Sequence, residues 1–195
     1  MKKHKIAVVV GSNRSGSLNA MLAQALAGLG ADKFSVSFVR IDDLPLYNHD
    51  LEAELPASVT RFKAEIAAAD GVLFVTPEHN RSIPAVLKNA IDWGGRPYGQ
   101  NSWAGKAVAI TGTSPGTIAT ALAQQHLRQI LGSSLGALIM GGEAYIAFKP
   151  GLVDDEGKIS DDGTRQFLKN YLDQFASLLD RLSPREAKRL SEAAA

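Results

Sequence analysis

Five short apolar runs punctuate the chain, separated by longer stretches with helical patterning. They are KIAVVV (5–10), FSVSFVRI (34–41), GVLFV (71–75), KAVAIT (106–111) and GALIM (136–140). Four are nearly continuous in apolar residues, as strands covered on both faces are; the second alternates and reads as an edge. Between the first two, Leu18, Met21, Leu22, Ala25, Leu26 and Leu29 form one stripe at helical spacing. Pro56 and Pro84 stand where the first turns of a second and a third helix are expected. A fourth helix is expected over about 118–131, and in a fifth Phe167, Leu168, Tyr171, Leu172, Phe175, Leu178, Leu179 and Leu182 share a face.

Strands alternating with helices predict an α/β domain: a flavodoxin-like, three-layer, doubly wound fold around a five-stranded parallel sheet of order 2-1-3-4-5. It occupies 1–182, leaving 183–195 as a polar tail, and KPGLVDDEGKIS (149–160) is expected as a surface excursion with turn chemistry. Ligands of such sheets sit beyond the carboxyl ends of the strands, at the switch point beside the first strand. The loops GSNRSGSLN (11–19), TPEHNRSIP (76–84) and GTSPGT (112–117) follow the first, third and fourth strands and converge there.

Composition narrows the chemistry. A net charge of +1 gives no electrostatic case for nucleic acid or an anionic membrane. The absence of cysteine removes disulfides, thiolate catalysis and thiolate metal sites, and suits a cytoplasmic setting. No run approaches the roughly 18 apolar residues of a membrane span. The four histidines, at 4, 49, 79 and 126, show no ligand spacing, so no metal site is expected.

The first loop has the composition of an anion site. A helix starting near Ser17 or Leu18 directs free N–H groups into it. Ser12, Asn13, Ser15, Ser17 and Asn19 add side-chain donors, and Arg14 adds a charged fork. A phosphate monoester suits this set; the plainer account is that Ser17 caps the helix and Arg14 lies in water. A dinucleotide fingerprint fails at its third position, where Asn13 stands between Gly11 and Gly16, although Asp42 could still serve a ribose. There is no Gly-Lys-Ser/Thr of a P-loop and no acid at the end of the first strand.

GSxRxxSxN after the first strand, followed by PExNxSxPxxLKNAIDW after the third, resembles the NADPH-dependent FMN reductase family, nearest its bacterial chromate or quinone reductase branch. LPLYNHD and WAGKAVAITGTSPGTIATALAQQHLRQIL extend the likeness. The resemblance implies FMN as cofactor. Ser12, Arg14, Ser17, Leu18 and Asn19 match the phosphate loop, completed by Asn13, Ser15 and Gly16. Glu78, His79, Asn80 and Arg81, opened by Pro77, match the loop along the flavin ring, and Ser114 matches a contact from the fourth-strand loop.

It further implies NADPH or NADH as co-substrate, hydride transfer to flavin N5, and ping-pong reduction of quinones, with chromate or azo compounds as adventitious acceptors. No side chain is required as a catalytic group. A homodimer or homotetramer is implied too, and the wide apolar arc Val86, Leu87, Ala90, Ile91 and Trp93 of the third helix is a candidate interface, or else a well-buried helix. The chain departs from the family in carrying His79 where tyrosine is usual, which bears on the choice of acceptor. Two rival readings are a non-enzymatic flavodoxin-like electron carrier, for which a strongly acidic surface is expected, and a flavin-free nucleotide-binding regulatory module.

Overall fold

The computed structural model describes residues 3–183. The strands are β1 (His4–Val10), β2 (Phe34–Phe38), β3 (Gly71–Val75), β4 (Ala107–Ser114), β5 (Leu138–Ile139) and β6 (Ala144–Ala147). The helices are α1 (Leu18–Leu29), α2 (Ala57–Ala68), α3 (Ala85–Gly95), α4 (Ala121–Arg128) and α5 (Asp162–Arg181). The sheet is parallel throughout, ordered β2-β1-β3-β4-β5, with β6 also paired to β4. The expected order therefore holds, with one strand more than the sequence pattern suggests.

Side-chain alternation explains the three layers. In β1, Ala7 and Val9 join a core with α2, α3 and α4, while Ile6 and Val8 join the opposite core with α1 and α5. Both faces of each central strand are thus covered, which is why the runs are apolar without interruption. β2 is the edge its alternation predicts, and it stops at Phe38 instead of continuing to 41.

The fifth run differs most from expectation. Leu138 and Ile139 pair with β4, the Met140 N–H still donates to the Val108 carbonyl, the chain then leaves the sheet over 141–143, and β6 rejoins β4 opposite Thr111–Ser114. Two adjacent glycines, Gly141 and Gly142, loosen the strand here, and the Arg128 guanidinium holds the detour by donating to the carbonyls of Met140 (2.8 Å) and Gly142 (2.7 Å). A single strand position is thereby split in two. Leu138 is exposed, so this run is not covered on both faces.

The boundaries of the fourth helix shift as well. α4 begins three residues later than expected and ends in a π-helical turn over Gln129–Ser134. α5 begins at Asp162, because Asp161 caps it by accepting from the Thr164 N–H at 2.7 Å. The 149–160 segment has its expected turn, with the Asp154 carboxylate accepting from the N–H groups of Glu156 and Lys158. It is nevertheless pinned to the body, since Leu152 and Ile159 are buried in the α1/α5 core. The expected tail lies, but for Ser183, outside the described residues.

The apolar arc of α3 is spent within the chain. Leu87, Ala90, Ile91 and Trp93 are all essentially inaccessible, and only Val86 is partly exposed. A buried helix accounts for that arc without a subunit interface. Pro56 and Pro84 occupy the residues just before α2 and α3, as their positions predict.

Candidate functional site

The carboxyl ends of β1, β3 and β4 are drawn close together, and one glycine permits it. A Cβ on Gly112 would stand 2.0 Å from the Thr76 carbonyl oxygen and 2.6 Å from the Thr120 hydroxyl. Above these ends lies a cavity of about 350 Å³. Its wall takes Ser12, Asn13, Arg14, Ser17, Leu18 and Asn19 from the first loop, Pro77, Glu78 and His79 from the second, and Ser114 from the third. Ser15, Gly16, Asn80 and Arg81 stand outside that wall, Ser15 facing a neighbouring groove beside β2. Pro84, Val86, Thr113 and Pro115 also line the cavity. In the sequence Pro84, Thr113 and Pro115 were marked only by their place within the polar loops, and Val86 by its place in the apolar arc of the third helix.

Two larger hollows, of about 720 and 760 Å³, lie beside β6 and α5 and between α3 and α4. Size alone therefore does not select the site. Position at the switch point and the character of the donors do.

Ser17 serves as the N-cap of α1, its hydroxyl accepting from the Ala20 N–H at 3.3 Å. Gly16, with φ +67°, makes the left-handed turn into that cap, a conformation costing other residues roughly 1–2 kcal/mol. Among the described residues of the wall, the N–H groups of Asn13, Ser17, Leu18 and Asn19 have no protein acceptor. Those of Leu18 and Asn19 belong to the first turn of α1, whose dipole favours negative charge. This donor set fits a phosphate group. The exposed Arg14 folds over it, donating from Nη2 to the Gly16 carbonyl at 3.0 Å.

Two expected side-chain donors are committed elsewhere. The buried Asn19 carboxamide donates to the Thr113 carbonyl and accepts from the Thr113 N–H, both at 2.9 Å, tying α1 to β4. The Ser114 hydroxyl donates to the Ala119 carbonyl at 2.8 Å, closing the turn after β4. What Asn19 retains for a ligand is its backbone N–H.

The second loop is a two-residue hairpin. His79 and Ser82 exchange both backbone hydrogen bonds at 2.9 Å, and Asn80 and Arg81 turn the corner with φ of +50° and +65°. Positive φ at both central residues is a type I′ turn, for which asparagine is suited and arginine is not. Glu78, the one acid of the cavity wall, turns its carboxylate away to α4, where Oε2 accepts from the N–H groups of Leu122 (3.0 Å) and Ala123 (3.1 Å). The wall therefore presents Arg14, the imidazole of His79 and backbone N–H groups, with its one carboxylate engaged elsewhere.

Comparison with known proteins identifies the family. The NADPH-dependent FMN reductase family model matches residues 4–151. The chain is 49% identical to a 2-hydroxy-1,4-benzoquinone reductase of Burkholderia sp. over 173 residues, covering 89% of this chain and 94% of that protein. A quinone reductase of Pseudomonas putida is 49% identical over 175 residues, with the same coverage. Among solved structures, FerB, a flavoenzyme NAD(P)H:(acceptor) oxidoreductase from Paracoccus denitrificans, superposes with a TM-score of 0.88 at 44% identity, covering 91% of this chain and 98% of that one. With that family model matching most of its length and relatives of 44–49% identity covered almost end to end, the chain belongs to the NADPH-dependent FMN reductases.

Proposed function

We propose that this protein reduces quinones with electrons from NAD(P)H, using FMN held in the cavity over β1, β3 and β4. Family membership makes it an oxidoreductase that uses FMN and NAD(P)H. The observation that carries the site assignment is that the partnerless N–H groups of Asn13, Ser17, Leu18 and Asn19 belong to residues lining the same cavity as His79. Bound there, FMN supplies the hydride and electron chemistry of the reaction.

The chain's own residues bind and orient. The first loop and Arg14 hold the phosphate, while Pro77, Glu78, His79 and Ser114 border the ring, with Asn80 and Arg81 at its rim. Ser15 and Gly16 shape the loop without facing the ligand. No side chain acts as nucleophile or obligatory acid. One open face serves nicotinamide and quinone in turn, which makes the kinetics ping-pong, and chromate or azo compounds are adventitious acceptors at the same face. A cytoplasmic setting suits a chain without cysteine. Assembly as a homodimer or homotetramer rests on the family resemblance alone, since the α3 arc is buried within the chain.

The test is steady-state NAD(P)H oxidation by the FMN-loaded protein across a panel of quinones. Parallel double-reciprocal lines are expected. Intersecting lines would remove the shared face, and no quinone-dependent oxidation would remove the function.

A further inference from the structure

α4 lacks a cap of its own. Thr120, at its N-cap position, makes no side-chain bond to the helix's free N–H groups, and its hydroxyl instead accepts from Gln124 Nε2 at 3.0 Å. The missing acceptor comes from another element: the Glu78 carboxylate, whose side chain is only 9% exposed, takes the N–H groups of Leu122 and Ala123. A carboxylate at a helix N-terminus is favoured by the dipole as well as by the hydrogen bonds. The cap thereby fastens the loop after β3 to the helix after β4.

A second tie joins the same two elements. Ser82 Oγ and His126 Nδ1 share a hydrogen bond of 2.7 Å, from the far arm of the hairpin to the middle of α4. The hairpin between the ties holds Arg81 at φ +65°, a conformation a bulky residue keeps only when its surroundings enforce it. Glu78 Oε1 also meets Arg81 Nη1 at 3.3 Å, so one carboxylate touches both the strained turn and the helix.

We infer that Glu78 is a positioning residue, capping α4 from outside the helix and so fixing the His79–Ser82 hairpin at the cavity mouth, with the Ser82–His126 bond as the second anchor. This rests on the flavin reading of the cavity. The carboxylate acts through the hairpin and not on the ligand, because both its oxygens are already engaged by protein donors.

Three variants test it: Glu78→Ala, Glu78→Gln and Ser82→Ala. Amide hydrogen exchange on the apoprotein reads the ties without any ligand, and FMN titration reads the cavity. Glu78→Ala is expected to speed exchange at Leu122 and Ala123 and also at His79 and Ser82, and to weaken FMN about 10-fold. Glu78→Gln, which keeps an acceptor oxygen for the helix, is expected to restore most of both. Ser82→Ala is expected to loosen the hairpin amides while leaving Leu122 and Ala123 protected, with a smaller loss of FMN. Faster exchange confined to α4 with unchanged FMN affinity would reduce Glu78 to a helix cap and overturn the proposal. So would equal FMN losses in Glu78→Ala and Glu78→Gln with hairpin exchange unchanged, which would mean that the charge acts on the ligand directly. Failure of the wild type to bind FMN would overturn the flavin reading instead, leaving the exchange data to judge the tie.

Discussion

Asn19 and Thr113, 94 residues apart in the chain, close a two-bond ring in which a side-chain amide takes the place of a neighbouring strand's backbone. Asn19 is 3% exposed and Thr113 1%, so neither bond has water to replace it. The ring fastens the first turn of α1 to the end of β4, and with it the phosphate loop to the loop carrying Ser114. Asn19→Ala leaves a buried N–H and a buried carbonyl unpaired, at a cost of about 2–3 kcal/mol. For a chain of this size that lowers the melting temperature by roughly 4–12 °C. Thermal unfolding of the apoprotein checks it; a change below 1 °C would show that the ring is not closed in solution.

With FMN held as proposed, Arg14 is expected to act on the phosphate and not on the ring. Its guanidinium is exposed and rests on the Gly16 carbonyl, within reach of the partnerless N–H groups of its own loop. A charge-assisted hydrogen bond contributes about 1.5–3 kcal/mol, less where water competes. Arg14→Ala is therefore expected to weaken FMN about 10-fold and to leave riboflavin, which has no phosphate, within about 2-fold of wild type. Fluorescence titration with both ligands decides; equal losses would place Arg14 away from the phosphate.

Glu52 sets a pH dependence of stability remote from the cavity. It accepts from Arg96 Nε at 2.6 Å and Nη2 at 3.1 Å, and from the Tyr47 hydroxyl at 2.6 Å, joining the segment before α2 to the end of α3. The Arg96 bonds first, and then the Tyr47 hydroxyl, hold its carboxyl below the usual carboxylate range. A carboxyl depressed by folding stabilises the protein above its unfolded pKa, and that contribution is lost as pH falls through the lowered folded value. Glu52→Gln is thus expected to melt below wild type at pH 7, with the gap closing as the pH falls below about 4. Melting curves from pH 3 to 8 would refute this if the gap were constant.

The sheet order and the three converging loops were legible because short apolar runs bounded by turn residues favour strands covered on both faces, as β1, β3 and β4 are, and parallel sheets place their ligand loops at one edge. The split of the fifth strand was not. Its detour depends on the Arg128 guanidinium reaching two carbonyls from a neighbouring helix, a tertiary contact that leaves no periodic trace. In the site, the pattern picked out three loops that do line one cavity but could not say which polar groups were spent. Ser17 as cap, Asn19 as tie and Glu78 as the cap of another helix all look like ligand contacts in sequence. Backbone N–H groups, which carry the phosphate fit, have no sequence signature beyond glycine and a helix start. The α3 arc shows the converse error: apolar residues spread too widely for one sheet contact were taken up by Tyr47, Trp103 and the α2 side chains of the same chain.

His79 departs from the family's usual tyrosine on a backbone that does not depend on the side chain. Its N–H and carbonyl are both engaged with Ser82, so a substitution leaves the hairpin's hydrogen bonds intact. The residue is exposed, lines the cavity mouth, and makes no side-chain hydrogen bond to any described residue. An imidazole there is smaller than a phenol and leaves more of the mouth open to an incoming acceptor. His79→Tyr is accordingly expected to keep FMN affinity within about 2-fold and the apoprotein melting temperature within about 2 °C, consistent with a surface substitution. The change should fall on the acceptor: kcat/KM for bulky quinones drops relative to small ones, while the rate of flavin reduction by NAD(P)H alters much less. Stopped-flow measurement of the two half-reactions separates these effects. Equal changes in both half-reactions would mean that residue 79 faces the nicotinamide as much as the quinone, and no change in either would make it a spacer in the turn.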